Sequence, residues 1–268
     1  MSLIGYRTIY GEVIPLCGTV EWTSANDLTL TQDQAPITQV AENAAFAWAM
    51  VVRNALGLNC SGGQVTALVR QNLFGLITLA TARQLLNSGG QLTVVAEYSP
   101  RGPLNDVFRG YFAAATRRGA VVETHPEFQS WCDASRHYLD AHLILFAPDA
   151  PCELPTAGRY SRLCERLNDA QTPVHTIGWP AGIDPDTGHI SGDALYASST
   201  LSLGAALRGL VMAPDHVGRH YLADAQWDRG IYASLGYNGE PLFREQPIIR
   251  LNEFSLRRDQ RDPADGSV

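Results

Sequence analysis

The stretch TPVHTIGWPAGIDPDTGHISGDALYASSTLSLGAALRGL, Thr172–Leu210, decides the fold. Its apolar run Val174–Ile177 stops at Pro180-Ala181-Gly182-Ile183-Asp184-Pro185-Asp186-Thr187-Gly188, a segment too rich in turn formers to continue as strand or helix. Ser199–Leu203 then reads as another strand. A strand, a polar loop at its carboxyl end and a further strand suit an open α/β sheet, where ligands sit at the carboxyl ends of strands. The loop is therefore the first candidate site. Asp184 is its acid/base candidate, with fixing the turn through its own backbone as the competing role. Pro180, Ala181 and Gly182 are its ligand-binding candidates. His175, inside the strand, is a second acid/base candidate against the competing role of a hydrogen-bonded core histidine. His189 reads as a surface loop residue.

Upstream, Gln64–Val69, Gln91–Glu97, Ala120–Glu123 and Ala141–Ala147 read as buried strands, and Leu79–Ser88, Leu104–Arg118, Phe128–Leu139 and Tyr160–Ala170 as helices. Such βαβ alternation implies parallel order with right-handed crossovers. Ahead of these, Val40, Ala44, Ala47, Trp48, Val51 and Leu56 approximate a helical stripe over Thr38–Leu56, with Thr38 as N-cap and Gly57 closing it. Residues 1–36 carry short alternating runs between glycines and prolines and read as an N-terminal extension of short strands. Residues 252–268 read as a polar tail, disordered from Arg257 onward.

Composition narrows the chemistry. The chain has 268 residues, 20 arginines and no lysine, so Schiff-base chemistry and a P-loop lysine are both excluded. A net charge of −7 disfavours a nucleic-acid surface, which needs a basic stripe. No apolar run reaches a membrane span and no charged-then-apolar leader precedes the chain, so a cytoplasmic location is expected. The five cysteines, Cys17, Cys60, Cys132, Cys152 and Cys164, form no C-x-x-C pair, so neither a disulfide framework nor a metal site follows, and buried thiols are expected.

Ile177-Gly178-Trp179-Pro180-Ala181-Gly182-Ile183-Asp184-Pro185-Asp186-Thr187-Gly188 resembles the V-D-I-P-S-G-L-D-A-D-T-G motif of the YjeF N-terminal domain family, the NAD(P)H-hydrate epimerases. Asp193-Ala194-Leu195-Tyr196 through Leu203-Gly204 to Arg208-Gly209-Leu210 follows that family's next motif. Gln39-Val40-Ala41-Glu42-Asn43-Ala44 is similar to its Q-x-x-E-N-A-G helix. The resemblance covers Ile37–Leu251 and implies one α/β domain over 37–251, a three-layer α/β/α Rossmann-like sandwich on a mostly parallel sheet. It also implies a homodimer.

The resemblance breaks at the chemistry. The family's leading aspartate, its catalytic acid/base, falls on Gly178, and the aspartate that supports its bound potassium ion falls on Phe146. The family's glycine-rich phosphate turn falls on Arg70-Gln71-Asn72-Leu73-Phe74-Gly75-Leu76-Ile77-Thr78, where Leu73, Phe74, Leu76 and Ile77 lack the backbone freedom of glycine. Arg70, Gln71, Asn72, Gly75 and Thr78 are the ligand-binding candidates left there, with Arg70 as a charged replacement for the cradle. Loss of the potassium ion follows. The expectation is a domain without epimerase activity that binds a nucleotide-like small molecule or a protein partner. The alternative is an isomerase or lyase using relocated groups near Asp184. His216–Asp224, and Leu235–Asn238 through Pro247–Leu251, additionally resemble the closing segment of the YjeF-type domain in enhancer of mRNA decapping proteins, a dimeric group without the epimerase residues.

Overall fold

A computed structural model describes residues 3–31, 35–54, 62–127, 137–151 and 158–256. In chain order the strands are β1 (Leu3–Arg7), β2 (Leu16–Cys17), β3 (Gln64–Arg70), β4 (Gln91–Glu97), β5 (Val121–His125), β6 (Leu143–Ala147), β7 (Val174–Ile177), β8 (Ser199–Leu203), β9 (Ala206–Leu207), β10 (Arg219–Ala223), β11 (Ile248–Arg250) and β12 (Asn252–Leu256). The helices are α1 (Thr19–Thr31), α2 (Ile37–Asn54), α3 (Leu73–Asn87), α4 (Asn105–Thr116), α5 (Ser161–Asp169), α6 (Pro214–Val217) and α7 (Arg229–Ser234).

The central sheet has the order β11-β10-β8-β7-β6-β3-β4-β5, parallel except for the β10–β11 edge pair. The central strands are buried because both of their faces are covered, β6 as an unbroken apolar run and β8 with Ser199, Thr200 and Ser202 among its buried residues. Ala67, Val69, Val94, Ala96, Leu145 and Ala147 pack with α2, α3 and α4 on one face. The alternate residues Leu68, Val95, Ile144, Phe146 and Val174 pack with Leu163, Cys164 and Leu167 of α5 on the other. This division by strand parity is the three-layer α/β/α sandwich. The chain enters the sheet at β3, runs outward through β4 and β5, and returns to the other side of β3 at β6. In sheets of this kind such a reversal, here above the carboxyl ends of β3 and β6, is the usual ligand position.

Three expectations are corrected. Residues 1–36 are not merely short strands, since Thr19–Thr31 forms a helix of 13 residues. Its buried residues Trp22, Ala25, Asn26 and Thr29 follow helical spacing, but only Trp22 is large and apolar, so the stripe is nearly invisible in sequence. Helix α3 begins at Leu73 and not Leu79, so Gly75 and Thr78 lie in a helix rather than a phosphate-binding turn. The polar tail expected over 252–268 begins as a strand: Asn252–Leu256 pairs antiparallel with Leu3–Arg7 and ties the two ends of the described chain together.

The helix expected over Phe128–Leu139 falls largely outside the described residues, and 137–139 form one 3-10 turn. Cys17 and Cys164 are buried thiols, while Cys60, Cys132 and Cys152 lie outside the described residues. Among the described residues no helix is long and apolar enough to cross a membrane.

Candidate functional site at the switch point

Arg70 is the last residue of β3, Glu97 the last of β4, and Asp149 stands just past β6, so the topology gathers three charged side chains where the strand order reverses. The Arg70 guanidinium forks between them, with Nε donating to Glu97 at 3.0 Å and the adjacent nitrogen pairing with Asp149. Arg159 adds a second guanidinium 2.6 Å from the same Glu97 oxygen, and the Tyr160 hydroxyl donates to Asp149 at 3.2 Å. Side-chain exposures of 16 % for Arg70, 12 % for Glu97 and 7 % for Asp149 make this a largely dry network. Burial, followed by the Asp149 charge, pushes the Tyr160 phenol well above its ordinary range, so it remains a donor.

Beside the network lies a cleft of about 110 Å³, whose lining includes Arg159, Tyr160, Ala181, Gly182, Asp184 and His189. Pockets that enclose a drug-sized ligand run from about 300 to 1,000 Å³, so this one suits a ring or a phosphate and leaves the rest of a larger ligand outside. Arg159 offers a planar fork to anionic oxygens.

The sequence candidates divide. Ala181, Gly182 and Asp184 line the cleft, and Arg70 touches it through Asp149. Asp184 Oδ1 accepts from the Asp186 N–H at 3.0 Å, the Thr187 N–H at 2.7 Å and the Thr187 hydroxyl at 2.9 Å. Burial opposes the charge, but these bonds outweigh it and leave the carboxyl below its usual range. A stabilised carboxylate of this kind fixes its turn and makes a weak base. Pro180 is not among the lining residues.

His175 is also absent from the lining and is 4 % exposed. Its Nδ1 meets Ser199 Oγ at 2.7 Å, and its ring stands edge-on to Trp48 at 6.4 Å. Burial lowers it to about 4, so it is neutral at neutral pH. Gln71 accepts the Ser99 N–H at 3.0 Å, while Asn72 caps α3 by accepting the Gly75 N–H at 2.8 Å. A Cβ on Gly75 would stand 1.7 Å from the Arg70 carbonyl oxygen, so glycine there permits close backbone approach. Thr78 is buried inside α3. Asn72 and Gly75 shape the β3–α3 junction, Gln71 ties it to the loop after β4, and none of the four lines the cleft.

Glu97, Asp149, Arg159 and Tyr160 are the site residues that sequence patterns missed. Only the topology joins them, although a charged residue ending each of two neighbouring strands, Arg70 and Glu97, was a usable signal.

Gly178, where the epimerase aspartate was expected, has φ +83°. A Cβ there would lie 2.3 Å from Phe74 Cε2. Phe74 cannot swing aside easily: it is 1 % exposed and edge-packed against Trp22 at 5.4 Å and Trp179 at 6.3 Å. Phe146 is fully buried, its ring 5.8 Å from that of Tyr160. An apolar ring at that position, with the neighbouring carboxylate of Asp149 already paired to Arg70, does not fit a potassium ion.

The family described as YjeF-related protein N-terminus matches residues 37–209. A curated NAD(P)H-hydrate epimerase from Limosilactobacillus fermentum (strain NBRC 3956 / LMG 18251) is 34% identical over 96 residues, covering 35% of this chain and 45% of that protein. The chain thus spans under half the length of this curated relative. The crystal structure of yeast ynu0, YNL200c, superposes with a TM-score of 0.72 at 18% identity, over 88% of this chain and 99% of that one, which is a likeness of fold. Dipicolinate synthase A chain from Bacillus subtilis follows with a TM-score of 0.34 at 12% identity, over 75% of this chain and 52% of that chain. With its family match running from α2 to the turn after β9, this chain belongs to the YjeF-related protein N-terminus family.

Proposed function

We propose that this NAD(P)H-hydrate epimerase-like domain does not epimerise and instead binds a nucleotide-like ligand at the switch-point cleft. The observation that carries the reading is Gly178: a carboxylate-bearing side chain there meets Phe74, whose ring is wedged between two tryptophans. Epimerisation needs a group that exchanges protons in place. Asp184, the loop's acid/base candidate, accepts three bonds within its own turn through Oδ1, which hold it as a weakly basic carboxylate. In this reading Arg159 takes the anionic part of the ligand and the Ala181-Gly182 backbone borders its planar part. The alternative, isomerase or lyase chemistry relocated to Asp184 or Asp186 with His175, keeps Asp184 at the cleft but finds His175 buried outside its lining.

A homodimer is part of the proposal. Phe46 and Met50 are 53% and 40% exposed, one helical turn apart on the outer side of α2, and give a second copy an apolar stripe to cover.

Turnover of hydrated NADH and thermal shift with NADPH and ADP-ribose test the reading. The expected result is no epimerisation above the uncatalysed rate and a ligand-dependent rise in Tm. That rise should vanish in Arg159→Ala and persist in Val20→Ser, a change at a residue 78% exposed on α1. Epimerisation at the rate of an established epimerase overturns the proposal. Equal shifts in both variants move the ligand elsewhere. Light scattering of the purified chain checks the dimer.

A further inference from the structure

Two chains of contact run from the first turn of α1 to the lining of the switch-point cleft. One is polar. Thr19 donates its N–H and its hydroxyl to the two oxygens of Asp186, at 2.7 and 2.6 Å. The Asp186 N–H in turn donates to Asp184 Oδ1 at 3.0 Å, and Asp184 lines the cleft. The turn between them closes on itself, since the Gly188 N–H donates to the Asp184 carbonyl and the Asp184 N–H to that of His189, each at 2.8 Å. Asp184 and His189 border the cleft, while Asp186 of the same turn is held by α1.

The other chain is aromatic. The Trp22 ring stands edge-on to Phe74 at 5.4 Å, and Phe74 edge-on to Trp179 at 6.3 Å. Trp179 lines the cleft. Trp22 is itself fixed by its indole N–H, which donates to the Leu203 carbonyl at 2.7 Å. Thr19 and Trp22 are three residues apart, so both routes leave one face of α1. Thr19, Trp22 and Asp186 do not line the cleft, so a change at any of them reaches it only through its neighbours.

The turn also rests on the segment after β9. The Gly209 N–H donates to the Pro185 carbonyl at 2.9 Å, and a Cβ on Gly209 would stand 2.6 Å from the Asp184 carbonyl oxygen, so the two meet backbone to backbone. Arg208, the preceding residue, pairs with Glu21 of α1. Helix α1 thus holds the turn directly and grips the segment beneath it. Beyond Trp22 it buries only Ala25, Asn26 and Thr29. An element with so few buried apolar contacts opens at the low end of the free-energy range of local unfolding.

We infer, resting on the ligand site proposed above, that α1 is a positioning element for the cleft, with Thr19 and Trp22 as its positioning residues. Docking of α1 holds Asp184, His189 and Trp179 in the arrangement that borders the ligand, so docking and binding favour each other. Such coupling is reciprocal: what α1 adds to affinity, the ligand returns as protection of α1.

Titration calorimetry of the full chain with ADP-ribose, and amide exchange with and without it, test this. Thr19→Val keeps the branching of the side chain and removes the hydroxyl bond to Asp186. It should weaken ADP-ribose about fivefold, the low end of coupling between sites, and Thr19→Ser should restore the affinity. In the unmodified chain ADP-ribose should slow exchange across residues 20–31. In Thr19→Val the Thr187 and Gly188 amides should exchange faster even without ligand. Unchanged affinity in Thr19→Val, with binding still abolished by Arg159→Ala, overturns the role of α1 and leaves the cleft in place. Weakened binding that Thr19→Ser does not restore, or α1 amides indifferent to ADP-ribose, overturns that role as well. ADP-ribose bound equally by Arg159→Ala, or not at all by the unmodified chain, overturns the ligand site itself and the coupling with it.

Discussion

Gly178 and Phe74 occupy one space, and a substitution at either is felt by the other. Gly178→Ala introduces a Cβ at φ +83° and 2.3 Å from the Phe74 ring, and should cost about 3 kcal/mol from overpacking and left-handed strain together. Phe74→Ala alone should cost about 3–5 kcal/mol as a core deletion. The pair should cost less than the sum, because the shortened side chain leaves room for the new Cβ. Urea unfolding of the four proteins of the cycle checks this coupling. The histidines give a second expectation. His175 is lowered to about 4 and His220 to about 3, both by burial, so the unfolded chain binds protons that the folded chain refuses. Both folded values lie below the ordinary histidine value near 6.5, so this stability is full above it and is lost as pH falls through about 4. Tm measured from pH 7 to pH 4 should fall, and His175→Gln should flatten the slope. His175 was readable in sequence as a core residue, because it sits inside an apolar strand.

Helix α1 was hidden from the sequence because its cap comes from elsewhere in the chain. Glycine at position 18 brings no side chain, so the box closes from one side only, with Glu21 accepting the Gly18 N–H. A further donor is met by Asp186, which accepts the Thr19 N–H at 2.7 Å and, besides, the Thr19 hydroxyl at 2.6 Å. This joins the turn after β7 to the first helix, 167 residues away in sequence. Asp186→Ala should therefore cost about 1–2 kcal/mol, the value of a lost N-cap, and should speed amide exchange at the start of α1 more than in α3. Equal exchange in both helices would show that the cap does not hold α1 in place. Helix α2, in contrast, was legible from Val40, Ala44, Ala47 and Val51 alone, since its burial is set by its own periodicity.

At the scale of the whole molecule, the switch point is closed by charge. Arg70 is shared by β3, β4 and the segment after β6, so it braces the sheet where the strand order reverses. Arg70→Met leaves Glu97 and Asp149 buried with one guanidinium fewer, and about 3 kcal/mol of stability should be lost on denaturant unfolding. Removing Asp149 as well, in Arg70→Met/Asp149→Leu, should recover part of that loss, since a buried pair is better replaced than broken. The two ends of the described chain are joined in a separate two-stranded sheet by β1 and β12. A chain ending at Leu251 leaves β1 unpaired and should melt at a lower temperature than the full chain, read by differential scanning calorimetry.

The sequence by itself determined the strands β3, β4, β6, β7 and β8, their parallel order, and the turn at 180–188, because apolar runs punctuated by Gly and Pro are local signals of burial on both faces. Its resemblance to the family also set that family's leading aspartate against Gly178. Only the tertiary structure decided that Phe74 fills the space at Gly178, that Arg70 forks to Glu97 and Asp149, and that Asp186 caps α1, because each of these acts between segments far apart in the chain. Strand order brings them together, and no local pattern carries that information.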